Sequence, residues 1–206
     1  MIIGIIGSGG REHAICEKIS KSKKVKKIYC FPGNAGTSLI AKNIKINIDD
    51  FRKIKEFVIK NKIDLLVVGP EKPLVNGIVN YFKNHNIKIF GPEKIASQLE
   101  GSKTFTKKIC EKYKIPTAKF ADLKNLKEAN LFLKKSNFPI VIKADGLASG
   151  KGVYICENIK IAKKAVNEIF NGKFGAANNI LIEEFLIGEE MSYFIITDGK
   201  SIKKFQ

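Results

Sequence analysis

Pro139-Ile140-Val141-Ile142-Lys143-Ala144-Asp145-Gly146-Leu147-Ala148-Ser149-Gly150-Lys151-Gly152-Val153-Tyr154-Ile155-Cys156 is the stretch that decides how this chain is read. Ile140, Val141 and Ile142 form a β-branched run that reads as a buried strand, and Val153, Tyr154 and Ile155 read as a second. Between them stand Gly146, Gly150 and Gly152, with Lys143 and Lys151 beside them. Glycines let backbone N–H groups approach a ligand closely, and such groups next to lysines suit phosphate oxygens. The stretch therefore predicts a strand–loop–strand flap over the phosphates of a nucleotide. A glycine-rich hairpin with two solvated lysines would have the same composition. A P-loop is excluded: Gly152 stands where Ser or Thr is required, and a strand follows instead of a helix.

Bulk properties narrow the class. The chain has 206 residues, 44% hydrophobic and 28% charged, which is globular composition. No apolar run approaches the roughly 20 residues of a membrane span. The N-terminus enters a strand with no basic segment before it, so no signal peptide is predicted. Cys16, Cys30, Cys110 and Cys156 are scattered without C-x-x-C spacing and read as free thiols, which points to a reducing cytoplasm. A formal net charge of +17 invites a nucleic-acid reading, yet Arg11 and Arg52 are the only arginines. Arginine leads at base edges and bidentate phosphate contacts, and the lysines fall mostly on the polar faces of predicted helices, so no nucleic-acid partner is expected.

The rest of the chain falls into two patterns. Up to residue 90, strands at Ile2–Ile6, Lys27–Phe31, Leu65–Val68 and Lys88–Phe90 alternate with helices at Glu12–Ser20, about 50–60 and Leu74–Asn84, with a further short strand near Ile44–Ile46. That alternation predicts a parallel, doubly wound sheet whose ligand crevice lies at the strands' carboxyl ends. Two short helices are predicted within 93–120, the second capped by Ser102, and another helix at about Leu123–Lys135. After the flap come a helix at about Ile159–Phe170 and a strand at Ile180–Ile182 leading into Glu183-Glu184-Phe185-Leu186-Ile187-Gly188-Glu189-Glu190. Strands are expected at Met191–Ile196 and Ser201–Phe205, the last reading as the start of an unfinished, truncated domain.

The first turn, Gly7-Ser8-Gly9-Gly10-Arg11-Glu12, is half of a dinucleotide fingerprint. Glu12 stands where a third small residue belongs, and the second strand ends at Phe31-Pro32 with no acidic residue for a ribose, so NAD is disfavoured. The helix start behind Gly9 and Gly10 can still receive another phosphate. His13 reads as a packing or surface residue.

Six blocks carry a resemblance over essentially the whole chain: Gly7–Ala14, Pro32–Thr37, Gly69–Val75, Leu99–Lys103, Lys143–Val153 and Ile182–Leu186. Together they resemble the phosphoribosylamine–glycine ligase family of the ATP-grasp superfamily. The resemblance implies an α/β fold: a doubly wound parallel-sheet N-terminal domain, residues 1–101, then an incomplete ATP-grasp region (α+β), residues 102–206, with a flap subdomain at about 117–188. Only the N-terminal half of such an enzyme would be present.

The resemblance further implies an ATP-dependent ligase of purine biosynthesis that joins glycine to 5-phosphoribosylamine through an acyl phosphate. Lys103, Lys143, Gly146, Gly150, Lys151 and Gly152 would hold ATP phosphates. Glu183 would accept from the adenine amino group, the main chain of Phe185 and Leu186 would meet the ring edge beside Glu184, and Glu190 would accept from ribose hydroxyls. Gly9, Gly10, Arg11, Gly33, Asn34 and Glu71 would receive phosphoribosylamine. Mg²⁺ or Mn²⁺ would be required, with ligands beyond Gln206, so the chain alone is expected to be inactive; the full-length form would be a monomer. Another ATP-grasp ligase, or a non-catalytic nucleotide- or polyanion-binding module, are the rival readings.

Overall fold

The computed structural model describes residues 1–147, 151–175 and 179–205; Gly150 of the predicted flap lies outside them. The first region runs β1 (Ile2–Gly7), α1 (Gly10–Ser20), β2 (Lys27–Pro32), α2 (Ala35–Ser38), β3 (Lys42–Asn43), α3 (Phe51–Lys60), β4 (Leu65–Val68), α4 (Glu71–Val75), α5 (Ile78–Lys83) and β5 (Ile89–Phe90). Its strands form one parallel sheet in the order β3-β2-β1-β4-β5. The chain thus winds outward in both directions from β1, as a doubly wound sheet does. Apolar side chains leave both faces of the strands. Ile6, Phe31 and Leu66 pack with α3 and α5 through Ile54, Val58 and Phe82, while Ile3, Ile5 and Val67 pack with α1 through Cys16. A sheet covered on both faces needs such near-continuous apolar strands.

Two local expectations are corrected here. The short strand expected at Ile44–Ile46 lies at Lys42–Asn43, paired to Tyr29 and Cys30. The single helix expected over Leu74–Asn84 is two, because Gly77 takes a left-handed conformation at φ +89° and restarts the helix at Ile78.

The second region runs α6 (Gln98–Gly101), α7 (Lys103–Tyr113), β6 (Phe120–Leu123), α8 (Leu126–Leu133), β7 (Ile140–Ala144), β8 (Val153–Cys156), α9 (Ile159–Phe170) and β9 (Ile180–Glu184). The strands form an antiparallel sheet, β6-β9-β7-β8. Strand alternation sorts its two faces. Ile140, Ile142, Ile180 and Ile182 pack on α8 and α9 through Leu133, Val166 and Ile169. Val141, Lys143, Leu181 and Glu183 occupy the alternate positions of β7 and β9. β6 was not expected from sequence; Phe120-Ala121-Asp122-Leu123 is half-buried throughout and carries no alternation to reveal it. A hairpin of β10 (Ile195–Thr197) and β11 (Ile202–Lys204) ends the described chain, so the strand expected from Met191 starts later. Phe194, Ile195, Ile202 and Phe205 on and beside this hairpin are exposed.

Candidate active site

The α7 helix begins where the two regions meet. Ser102 caps it, its hydroxyl accepting from Phe105 N–H at 3.1 Å. The same hydroxyl donates to Asp145 Oδ2 at 3.0 Å, and Thr104 N–H donates to Asp145 Oδ1 at 3.3 Å. One carboxylate at the end of β7 thereby holds the start of α7, a placement that the helix dipole also favours. Lys103 Nζ donates to Gly146 O at 3.0 Å, so the helix also grips the base of the flap. Ala144 N–H donates to Gly152 O at 2.8 Å and closes that base from the other limb.

Lys143 and Glu183 share the face of the sheet opposite α8 and α9. Register sets Val141 opposite Glu183 and Lys143 opposite Leu181, which makes Lys143 and Glu183 diagonal neighbours. Lys143 Nζ meets Glu183 Oε2 at 3.0 Å. Lys107 Nζ meets the same oxygen at 3.1 Å. Glu183 is 6% exposed and Lys107 7% exposed, so this is a buried carboxylate between two ammoniums. Among the described residues Oε2 takes both lysines and Oε1 takes no hydrogen bond.

These groups line a cleft of about 1060 Å³. Of the residues expected to contact ATP, it brings together Lys103, Lys143, Gly146, Gly152, Glu183 and Leu186; the first region contributes Pro70, Glu71 and Lys72 to its wall, and α6 contributes Leu99 and Glu100. Lys107 lines it too and was missed by the sequence reading. The available signal was spacing: Lys103 and Lys107 are four apart on one helix and so share a face. Lys151, Phe185 and Glu190 do not line the cleft; Lys151 and Glu190 are exposed. Glu184 turns away, its Oε1 accepting from Lys119 N–H at 2.8 Å.

The crevice at the carboxyl ends of β1 and β4 is bound up internally. Arg11 Nη1 donates to Glu71 Oε1 at 2.7 Å and to Gly69 O at 2.8 Å. Their hydrogen bond raises the Arg11 pKa and lowers that of Glu71 from its ordinary value. Glu12, 4% exposed, accepts from Gly9 N–H at 2.6 Å, so that N–H is already engaged by a carboxylate. This explains the misfit in the glycine pattern: the Glu12 side chain fills the space that Cβ atoms at Gly7 and Gly69 would take, and Gly7 is in addition held at φ +128°. Asn34 caps α2, accepting from Thr37 N–H at 2.9 Å, and its amide donates to Ser8 O at 2.8 Å and Gly9 O at 3.1 Å. It ties the first two strand-end turns together. Gly33 lies against Asn43, and His13 packs against Gly36. Burial pushes the Cys30 thiol up to about 12, which rules it out as a ready nucleophile. Among the described residues no three His, Cys, Asp or Glu side chains cluster as metal donors, and no helix is long and apolar enough to cross a membrane.

Comparison with known families covers the whole chain. Residues 1–100 match the phosphoribosylglycinamide synthetase N domain, and residues 101–206 match the ATP-grasp (A) domain of the same enzyme. The chain belongs to the phosphoribosylglycinamide synthetase family. A phosphoribosylamine–glycine ligase of Clostridium acetobutylicum is 50% identical over 210 residues, an alignment spanning 100% of this chain and 50% of that protein. The crystal structure of a phosphoribosylamine–glycine ligase from Thermotoga maritima superposes with a TM-score of 0.80 at 31% identity, covering 99% of this chain and 49% of that one. The chain therefore spans about half the length of the synthetase relatives it matches. A biotin carboxylase domain from Hydrogenobacter thermophilus, solved with MgADP, shares the fold alone, with a TM-score of 0.69 at 19% identity.

Proposed function

We propose that this chain forms the ATP-receiving half of a phosphoribosylamine–glycine ligase, with the phosphoribosylamine site at the carboxyl ends of its parallel sheet. The observation that carries this reading is the convergence of Lys103, Lys143 and the flap base on one cleft, beside the buried Glu183. ATP phosphates would lie along Lys103 and Lys143 beneath the flap. There the ammoniums would offset charge on the transferring phosphoryl group, with low dielectric strengthening their effect. The main chain at Phe185 and Leu186 would meet the adenine edge, Glu183 Oε1 its amino group, and Glu190 the ribose. On the other side of the cleft, Glu71 would face the amine substrate, and Arg11 its phosphate, by exchanging the Glu71 carboxylate for phosphate oxygens.

In this reading glycine's carboxylate takes the γ-phosphoryl group, the resulting acyl phosphate is attacked by the amine, and phosphate leaves. Mg²⁺ would supply charge stabilisation for the phosphates when bound; no donor set for it is found among the described residues. A thermal-shift titration with ATP, GTP and single-stranded RNA tests the reading. ATP alone should raise the melting temperature, because only a ligand preferring the folded state does so. Stabilisation by RNA in place of ATP would support a polyanion-binding module instead.

A further inference from the structure

Lys107 is a buried lysine of the cleft, and its ammonium is held by groups inside the protein. Its ammonium donates to Thr117 Oγ1 at 2.8 Å and to Ala118 O at 3.1 Å, and it forms an ion pair with Glu183 Oε2 at 3.1 Å. Lys143 differs. Its side chain is 28% exposed, it faces the cleft, and among the described residues its ammonium meets only Glu183. For Lys143 to turn toward a ligand's phosphate, it must leave a carboxylate that is 6% exposed. Leaving a buried charge with no partner is strongly unfavourable. Lys107 removes that obstacle, because it stays on the same oxygen when Lys143 departs.

We infer that Lys107 is a positioning residue for nucleotide binding: it neutralises Glu183 permanently and thereby frees Lys143 to engage phosphate. The inference rests on the proposed role of Lys143. It assigns Lys107 no contact with the nucleotide. Without Lys107, Glu183 would hold Lys143 as its sole counter-ion, and the phosphate end of the cleft would lose the Lys143 ammonium although Lys143 itself is unchanged.

The purified chain tests this with ATP and adenosine as separate probes. Lys107→Met should weaken ATP binding roughly tenfold or more, the scale of a lost charge-assisted hydrogen bond, while adenosine binding stays unchanged. Adding Glu183→Gln, which removes the charge that would trap Lys143, should give the double variant the same ATP affinity as Glu183→Gln alone, so that Lys107→Met no longer has an effect. Equal loss for ATP and adenosine would mean that Lys107 is only a strut of the fold, and would overturn the inference. So would unaltered ATP affinity in Lys107→Met when Lys143→Ala weakens it, an outcome that leaves the role of Lys143 standing. If Lys143→Ala itself changes nothing, the phosphate reading fails and the inference with it. Should Lys107→Met not fold, Glu183→Gln and the double substitution are compared directly. With the carboxylate gone they should bind ATP equally, and a difference overturns the inference.

Discussion

Arg11 and Glu71, 60 residues apart, are joined by a 2.7 Å hydrogen bond at the carboxyl ends of β1 and β4. Both residues are therefore partnered with each other. The pair is on the surface, with side chains 59% and 38% exposed, so solvent screens it to about 1 kcal/mol or less. Arg11→Ala should accordingly shift the urea midpoint little. It should abolish binding of ribose 5-phosphate, a stable stand-in for the proposed amine substrate, measured by calorimetry. Undiminished binding would remove Arg11 from the phosphate site.

The pair also sets a pH dependence. The Arg11 hydrogen bond lowers the folded-state pKa of Glu71 below an unfolded value of about 4.3. Its small stabilisation is fully present above about pH 4.3 and is lost as pH falls through the folded value. Comparing acid unfolding of the unsubstituted chain with that of Glu71→Gln should show the two curves converging at the acid end. Curves that diverge there would mean that the pair does not set this dependence.

Much of this was legible in the sequence where one force dominates. Ile140–Ile142 and Leu65–Val68 announce buried strands because β-branched and aliphatic runs have little alternative. Ser102 announces a helix start because its hydroxyl can accept from Phe105 N–H. What stayed hidden depends on partners far along the chain. Phe120–Leu123 is a strand only because β9 lies beside it. Glu12 seemed to spoil a glycine motif, and only the fold reveals a carboxylate packed beneath Gly7 and Gly69. Beyond its spacing from Lys103, nothing in the sequence sets Lys107 apart from the other lysines, and only the fold buries it against Glu183, 76 positions later in the numbering. Glu190 was assigned from its place in a motif; the structure leaves it exposed and away from the cleft wall.

Lys143→Ala should raise the ATP dissociation constant by a factor corresponding to roughly 1.5–3 kcal/mol, the worth of a hydrogen bond to a charged group. Thermal stability should change far less, because Glu183 keeps Lys107 at 3.1 Å. Calorimetry with ATP and a melting curve on the same sample separate the two quantities. A collapse in stability would mean that Lys107 alone does not satisfy the carboxylate.

Asp145 links the start of α7 to the flap through Ser102 and Thr104. Asp145→Ala removes the acceptor for both and should cost about 1–3 kcal/mol, the range for a buried donor left without its partner. The loss should concentrate locally. Hydrogen exchange should quicken at the amides of Thr104 and of β7 and β8 before it does in the parallel sheet. Uniform acceleration across both sheets would show that Asp145 supports the whole fold instead of this junction.

Gly69 accepts no side chain without displacing Glu12, whose carboxylate and Cγ occupy the position of a Cβ there. Glu12 cannot easily withdraw, since it is 4% exposed and held by Gly9 N–H at 2.6 Å. Gly69→Ala should therefore destabilise by about 1–3 kcal/mol, the range for overpacking a closely packed site. Glu12→Ala should cost about 1 kcal/mol or more through the lost cap at Gly9. In the double substitution the new methyl group finds the space that the carboxylate vacated, so the combined loss should fall short of the sum. Urea unfolding of the four proteins measures the coupling. A strictly additive result would mean that Gly69 avoids something other than Glu12, and that the glycine at the end of β4 has a different cause.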